Sequence, residues 1–191
     1  MAAPKAPGQR IQVVGPSCAG KSTLAGELSE RFELEFLELD ALFWKPNWTE
    51  PPAEEFAETL RRVSAGGRWV MAGNYFRHTS ELLWEEIETV IWLDFPLRIV
   101  LPRIVKRAWR RYRNNELLWG TNRERFWPMW KLWSKNSLLG YTMSRHQQYG
   151  ERIRGAQRDP RFAHIQWVRI QGPKEVERWL AGLPPAASDG T

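Results

Sequence analysis

The chain is poor in the residues on which several protein classes depend. It has one cysteine, Cys18, in 191 residues. That excludes an internal disulfide framework and fits a reducing, cytoplasmic setting. Its three histidines, His78, His146 and His164, lie far apart and form no zinc-ligand cluster with the lone cysteine. They show no evident partners in the sequence, and no role is assigned to them. No apolar run reaches the roughly 18 residues of a membrane span. Residues 1–9 are small and Pro-rich, without the apolar core of a signal peptide, and read as a disordered lead-in. Repeats and low-complexity blocks are also absent.

What is present points to a polyanion. The net charge is +6 and the pI about 9.8. Nucleotides and nucleic acids both satisfy that excess, so charge alone does not choose between them. The length fits one domain with room for an inserted lid. Tryptophan is abundant, at 12 residues. Trp109, Trp119, Trp127, Trp130 and Trp133 fall in a stretch also dense in arginine. They either pack lid helices together or offer stacking surfaces for bases.

Periodicity gives an alternating pattern. Short apolar runs at residues 11–14, 34–39, 69–72, 89–93 and 165–170 read as strands one to five. Helical spacing covers residues 21–32, 53–63, 80–87 and 97–113, and a last helix runs from Gly172-Pro173 to about residue 183. Residues 44–52 and 114–128 read as irregular, and residues 124–155 hold at least one further helix. The alternation predicts an α/β fold: a three-layer αβα core with a parallel five-stranded sheet, residues 10–183. Its longest insertion, residues 95–164 between strands four and five, carries a helical, Arg- and Trp-rich lid at about 108–150. Residues 184–191 read as a disordered tail.

One motif carries chemistry. Gly15-Pro16-Ser17-Cys18-Ala19-Gly20-Lys21-Ser22 fits G-x-x-x-x-G-K-[ST], with an apolar strand before it and a helix after it. In such a loop the glycines let the backbone curl, so that amides around Ser17, Cys18, Ala19 and Gly20 gather into one hollow. The helix N-terminus, continuing through Thr23, adds its positive dipole end. Lys21 reaches the β- and γ-phosphates of ATP, and Ser22 ligates Mg²⁺. Cys18 is either a passive small residue of this loop or a reactive thiol.

Asp40 follows strand two at the carboxyl edge of the sheet, where ligands gather in α/β folds; it is an acceptor-binding carboxylate or a turn residue. Asp94 ends strand four just before Pro96 and has the same two readings. Arg103, Arg107, Arg110, Arg111 and Arg113 crowd one helix. Guanidinium groups suit developing phosphoryl charge, while a solvated basic face is the alternative. Trp44 and Trp48 flank a proline loop beside Asp40 and could wall an acceptor.

Several segments carry a resemblance. They are Leu39-Asp40-Ala41-Leu42 with Trp44-Lys45-Pro46-Asn47-Trp48; Trp69-Val70-Met71-Ala72-Gly73-Asn74-Tyr75; Val90-Ile91-Trp92-Leu93-Asp94-Phe95-Pro96; and Leu118-Trp119-Gly120-Thr121-Asn122-Arg123-Glu124 after the arginine run. Together they resemble the adenylate-kinase-like P-loop family of FlaR-like topology-modulation proteins, over residues 10–183. The resemblance implies a nucleoside-monophosphate-kinase-like phosphotransferase using ATP and Mg²⁺. Arg103 and Arg107 would start the lid helix and touch ATP, and Gly172 and Pro173 would lie beside adenine. Asp40, Asn74 and Tyr75 would face the acceptor, with Arg123 and Arg145 as further acceptor-side candidates. One position departs from the pattern. Related sequences carry an acidic residue where this chain has Ala72, which removes the carboxylate that would hold a magnesium-bound water. Asp40 and Asp94 are the substitutes considered.

The expected partners are ATP and a small acceptor, with a nucleoside monophosphate as the default, and the expected state is a monomer or homodimer. Two alternatives remain: a nucleic-acid-binding ATPase or polynucleotide kinase, and a nucleotide-binding module with weak transfer.

Overall fold

The computed structural model describes residues 5–123 and 138–184, with only the backbone for residues 138–145. The expected tail beyond residue 184 and the tryptophans at 127, 130 and 133 lie outside the described residues. So do residues 1–4 of the expected disordered lead-in.

Three strands are buried along nearly their whole length: β1 (Arg10–Val14), β3 (Trp69–Ala72) and β4 (Thr89–Leu93). Runs of that kind suit a sheet covered on both faces. They form its centre, flanked by β2 (Glu35–Glu38) and by a fifth, C-terminal strand, Gln166–Ile170 (β7). The order is β2-β3-β1-β4-β7, and every pairing is parallel. The exposed polar residues sit on the two edges, Glu35 on β2 and Arg169 on β7.

Helices cover both faces. On one side α1 (Lys21–Phe32) buries Leu24, Ala25 and Leu28, beside α5 (Leu97–Arg113), which buries Val100, Ile104 and Ala108. The final helix, Pro173–Gly182, closes this layer. Arg31 of α1 fastens it, donating from its guanidinium to the carbonyls of Leu180 and Leu183, each at 2.6 Å. On the other side lie α3 (Ala53–Ser64), α4 (Phe76–Leu82) and α6 (Leu138–Arg158). They cover Trp69, Met71, Val90 and Trp92. Trp69 and Trp92 are core residues, as expected, and Trp84 is as deeply buried.

Three elements differ from the sequence reading. Strand two stops at Glu38, because Leu39 turns inward to 0% exposure and begins a short helix, α2 (Leu39–Phe43). That turn requires a residue without a side chain opposite: a Cβ on Gly73, at φ +151°, would meet the Leu39 Cβ at 2.7 Å. Helix α4 starts at Phe76 rather than near residue 80, since the Tyr75 carbonyl already accepts from the Thr79 N–H at 2.9 Å. The stretch expected to be irregular after residue 114 contains a small antiparallel hairpin, β5 (Leu117–Leu118) with β6 (Asn122–Arg123). Helix α5 matches its expected span even though Pro102 lies inside it and lacks the N–H that the helix would use. Among the described residues no helix is long and apolar enough to cross a membrane.

A buried polar relay links strand to helix layer. Gln12 on β1, at 0% exposure, donates from Nε2 to the Gly73 carbonyl at 3.2 Å and accepts at Oε1 from Trp84 Nε1 at 2.8 Å. Gln12→Leu leaves both partners buried and unpaired. The expected loss of stability is about 1–3 kcal/mol, read as a lower urea midpoint at unchanged slope. An unmoved midpoint would show that Trp84 and Gly73 find other partners.

Candidate functional site

The site grows from the turn between β1 and α1. A Cβ on Gly15, at φ +151°, would lie 2.7 Å from the Leu93 carbonyl oxygen, so only glycine lets the chain leave β1 there. The side-chain amide of Asn74 grips this residue from the end of β3. Its Oδ1 accepts from the Gly15 N–H at 2.9 Å, and its Nδ2 donates to the Gly15 carbonyl at 2.6 Å. The loop then curls through Cys18, at φ +60°. Gly20 caps α1 without contributing a side chain. A helix leaves its first N–H groups without intrahelical partners, so the start of α1 presents donors and its positive dipole end to an anion.

Lys21 crosses the hollow of the loop, donating from Nζ to the carbonyls of Gly15 at 3.0 Å and Pro16 at 3.1 Å. Burial pushes its ammonium below the ordinary lysine range. The carboxylates of Asp40 and Glu38 act against that shift, while the Arg107 guanidinium adds to it. Beside it, burial pushes the Glu38 carboxyl above the ordinary glutamate range, and the neighbouring Ser22 hydroxyl opposes that shift.

Glu38 was not singled out in the sequence, where it reads as one polar residue of an edge strand. Its place becomes clear from the register: Glu38 pairs with Ala72 across β2 and β3. A carboxylate thus lies one strand over from Ala72, at the same height in the sheet. The available signal was the spacing Glu38-Leu39-Asp40 at the carboxyl end of strand two.

A cavity of about 490 Å³ collects Lys21, Ser22, Thr23, Asp40, Arg103 and Arg107, with Ser17, Cys18 and Gly20 of the loop. The two arginines come from α5, as does Arg110. Arg103 lies over the Phe95 ring, its guanidinium 5.8 Å from the centroid, and reaches the Cys18 carbonyl at 3.5 Å. Arg107 holds its Nε buried without a hydrogen-bond partner among the described residues. Asp40 accepts from the Tyr75 hydroxyl at 2.8 Å, which orients it from β3. Ala19 is part of the loop but is buried.

A second cavity, about 470 Å³, opens on the far side of Pro16 and Ser17, and Ser17 lines both. Asn74, Tyr75 and Asp94 reach its wall. The carboxylate of Asp94 is engaged by the Arg169 guanidinium in a short ion pair, which places it in an edge-strand contact and away from Ser22.

The remaining expected residues are distributed differently. Trp44 and Trp48 pack edge to face, with centroids 5.5 Å apart, and among the described residues neither lines either cavity. Trp48 holds the β5–β6 hairpin instead. Its N–H donates to Asn122 Oδ1 at 2.8 Å, its ring Nε1 donates to the Arg123 carbonyl at 3.0 Å, and its ring meets Trp119 at 5.7 Å. Asn122, 1% exposed, also donates to the Lys45 carbonyl at 3.1 Å. Arg123 joins the arrangement through its backbone, and its side chain is exposed. Trp109, on the face of α5, is 52% exposed. Gly172 and Pro173 open the last helix, and neither is among the described residues lining the two cavities. The side chain of Arg145 lies outside the described residues. Two of the histidines do have partners: His146 Nε2 lies 2.9 Å from the Phe95 carbonyl, and His164 Nε2 lies 3.1 Å from that of Trp84. Tertiary folding creates both contacts across dozens of residues, which is why the sequence did not show them.

No family model matches this chain, and no curated protein matches it. Solved structures do. The fold is similar to that of a shikimate kinase from Aquifex aeolicus, at 17% identity and TM-score 0.50, covering 91% of this chain and 95% of that one. It is similar also to a gluconokinase from Sinorhizobium meliloti, at 17% identity and TM-score 0.51, covering 93% of each. The likeness is one of fold: a parallel five-stranded sheet between helix layers, with the loop of residues 15–22 between β1 and α1.

Asn122 is buried yet bonds only to loop and hairpin atoms. Asn122→Ala is expected to speed hydrogen exchange at the Trp48 amide by about tenfold or more, the effect of losing a hydrogen bond of roughly 1–1.5 kcal/mol. Amides of β1 and β4 should be unaffected. Unchanged protection at Trp48 would show that aromatic packing alone holds the hairpin.

Proposed function

We propose that the chain is a phosphotransferase that moves the γ-phosphate of ATP to a hydroxyl of a small acceptor. The observation that carries this is the convergence of Lys21, Ser22, Asp40, Arg103 and Arg107 on one cavity at the mouth of the P-loop. The likeness to a shikimate kinase and a gluconokinase supports it at the level of fold. The resemblance to FlaR-like, adenylate-kinase-like proteins supports the same reading and leaves the acceptor open.

The chain's own groups divide the work. The amides at the start of α1 and the Lys21 ammonium bind the β- and γ-phosphates. That contact would replace the Lys21 bonds to Gly15 and Pro16 and return the ammonium towards its ordinary pKa. Arg103 and Arg107 offset charge on the transferred group. The buried, unpaired Nε of Arg107 is a donor suited to a phosphate oxygen. The acceptor hydroxyl oxygen attacks phosphorus, its proton passes to the Asp40 carboxylate, and the bond from phosphorus to the β–γ bridging oxygen breaks, releasing ADP. Asp40 is held ready by Tyr75.

A hard cation suits the oxygen donors gathered at Ser22, so Ser22 with Glu38 would hold Mg²⁺. Bound there, Mg²⁺ supplies charge neutralisation between the β- and γ-phosphates. Glu38, a carboxylate paired in register with Ala72, supports transfer over a module without it.

A nucleic-acid substrate is the second reading. Trp109 and Tyr112 are 52% and 55% exposed on α5, each followed by an exposed arginine, Arg110 and Arg113. That reading requires oligonucleotide affinity that falls steeply with salt. Small-acceptor phosphorylation that persists at moderate salt favours the first.

Lys21→Ala is expected to lower ATP turnover by about 100-fold or more, the scale for losing a preorganised charge contact. Asp40→Asn should lower transfer and leave ATP affinity intact. Turnover surviving in Lys21→Ala would place the reaction elsewhere. A carboxyl whose pKa is raised by burial takes up its proton at higher pH than an ordinary glutamate. Mg²⁺ activation should therefore weaken as pH falls, starting above the usual glutamate range. Glu38→Gln should raise the Mg²⁺ concentration needed and flatten that pH dependence; an unaltered Mg²⁺ titration would rule out Glu38 as a contact.

A further inference from the structure

Helix α6 meets the root of α5 through one hydrogen bond. Three of its residues, His146, Tyr149 and Arg152, line the 470 Å³ cavity at three-residue spacing. His146 is half-buried there, and its Nε2 lies 2.9 Å from the Phe95 carbonyl oxygen. A carbonyl only accepts, so Nε2 carries the proton, in the neutral ring as in the charged one. The bond therefore holds in either state of the imidazole.

Phe95 sits where the chain turns from β4 into α5. The next residue, Pro96, is the N-cap of α5, and its carbonyl accepts the first helical bonds, from Ile99 at 2.9 Å and Val100 at 3.3 Å. The Phe95 carbonyl, one residue earlier, lies outside the helix and beyond the β4–β7 ladder, which ends at Leu93 and Ile170. Among the described residues its donor is His146. The junction has two other anchors, the Asp94 N–H on the Ile170 carbonyl at 2.8 Å and the Asp94–Arg169 ion pair. Both tie it to β7 and leave the Phe95 carbonyl to α6.

Phe95 is also the platform for Arg103. Its ring, 1% exposed, lies under the Arg103 guanidinium, 5.8 Å from centroid to Cζ. Arg103 itself is exposed and meets the loop only at the Cys18 carbonyl, at 3.5 Å. A long exposed side chain with one distant polar contact takes its position from the ring beneath it. One residue thus faces two ways, its carbonyl to α6 and its ring to an arginine of the P-loop cavity.

We propose that His146 is a positioning residue for phosphoryl transfer: by fixing the Phe95 carbonyl it sets the ring on which Arg103 rests, and through it the place of that guanidinium over the P-loop. The inference rests on the phosphotransferase reading and extends it to a side chain on α6.

A double-mutant cycle tests it, on ATP turnover by the full chain with water as the acceptor and Lys21→Ala as the blank. His146→Leu keeps bulk and removes the donor, while His146→Gln returns an amide donor near the place of Nε2. His146→Leu is expected to lower kcat about tenfold, the weight of one hydrogen bond, with KM for ATP moved by less than about twofold. His146→Gln should keep most of the activity. Arg103→Gln should lower kcat at least as much, and adding His146→Leu to it should cost nothing further, because the two act through one contact. Should His146→Leu fail to bind ADP, His146→Asn, whose amide is one methylene shorter, takes its place. The proposal is overturned if kcat is unchanged without the donor, if glutamine does not rescue, or if the two losses multiply, as they would for a tie that only holds α6 in place. Turnover by the unmodified chain no higher than the blank would instead defeat the phosphotransferase reading, and this inference with it.

Discussion

The hold of one side-chain amide on one glycine organises the site. Asn74 satisfies both backbone groups of Gly15, where the chain can leave β1 only because no Cβ intrudes on Leu93. The same carbonyl also receives the Lys21 ammonium. The end of β3, the start of the P-loop and the lysine are therefore fixed relative to one another by three bonds around a single residue. Tyr75, next along the chain, then orients Asp40. One dipeptide after β3 thus sets both the phosphate-binding loop and the carboxylate that faces it, which is the preorganisation that phosphoryl transfer needs from a protein.

The sheet and the P-loop were legible in the sequence because their signals are local. Residues 69–72 are an unbroken apolar run, residues 11–14 and 89–93 carry only Gln12 and Thr89 as polar exceptions, and Gly20-Lys21-Ser22 has meaning only between a strand and a helix. Helix α5 was equally clear, since its length and its Val100, Ile104 and Ala108 stripe outweigh Pro102. The parts that were missed depend on pairing at a distance. Glu38 gains its importance from lying opposite Ala72, which no local pattern encodes. Leu39 reads as the last residue of a strand until Gly73 is seen to leave room for it to begin a helix. The β5–β6 hairpin has two residues per strand, too few for an alternation to show, and its stability comes from Asn122 and Trp48, which are far apart in sequence. Tyr149 and Arg152 join the second cavity only because α6 packs back onto the sheet.

The two cavities divide the charges of the molecule. Lys21, Arg103 and Arg107 surround the one at the P-loop, where Glu38 and Asp40 supply the only carboxylates among the described residues in the immediate group around Lys21. The exposed basic face of α5 continues outward from there. The excess positive charge read from composition is thus concentrated along one helix, and the acids on that side are placed where a proton or a cation has to be handled.

The hairpin joins the two halves in a further sense. It hangs from the end of α5, the helix that bears Arg103 and Arg107, and it rests on the Trp48 turn, a few residues beyond Asp40. Whatever moves one end of that strut loads the other. Ligands bound at the α5 end and at the Asp40 end would share an energetic link through it, and such a link works equally in both directions.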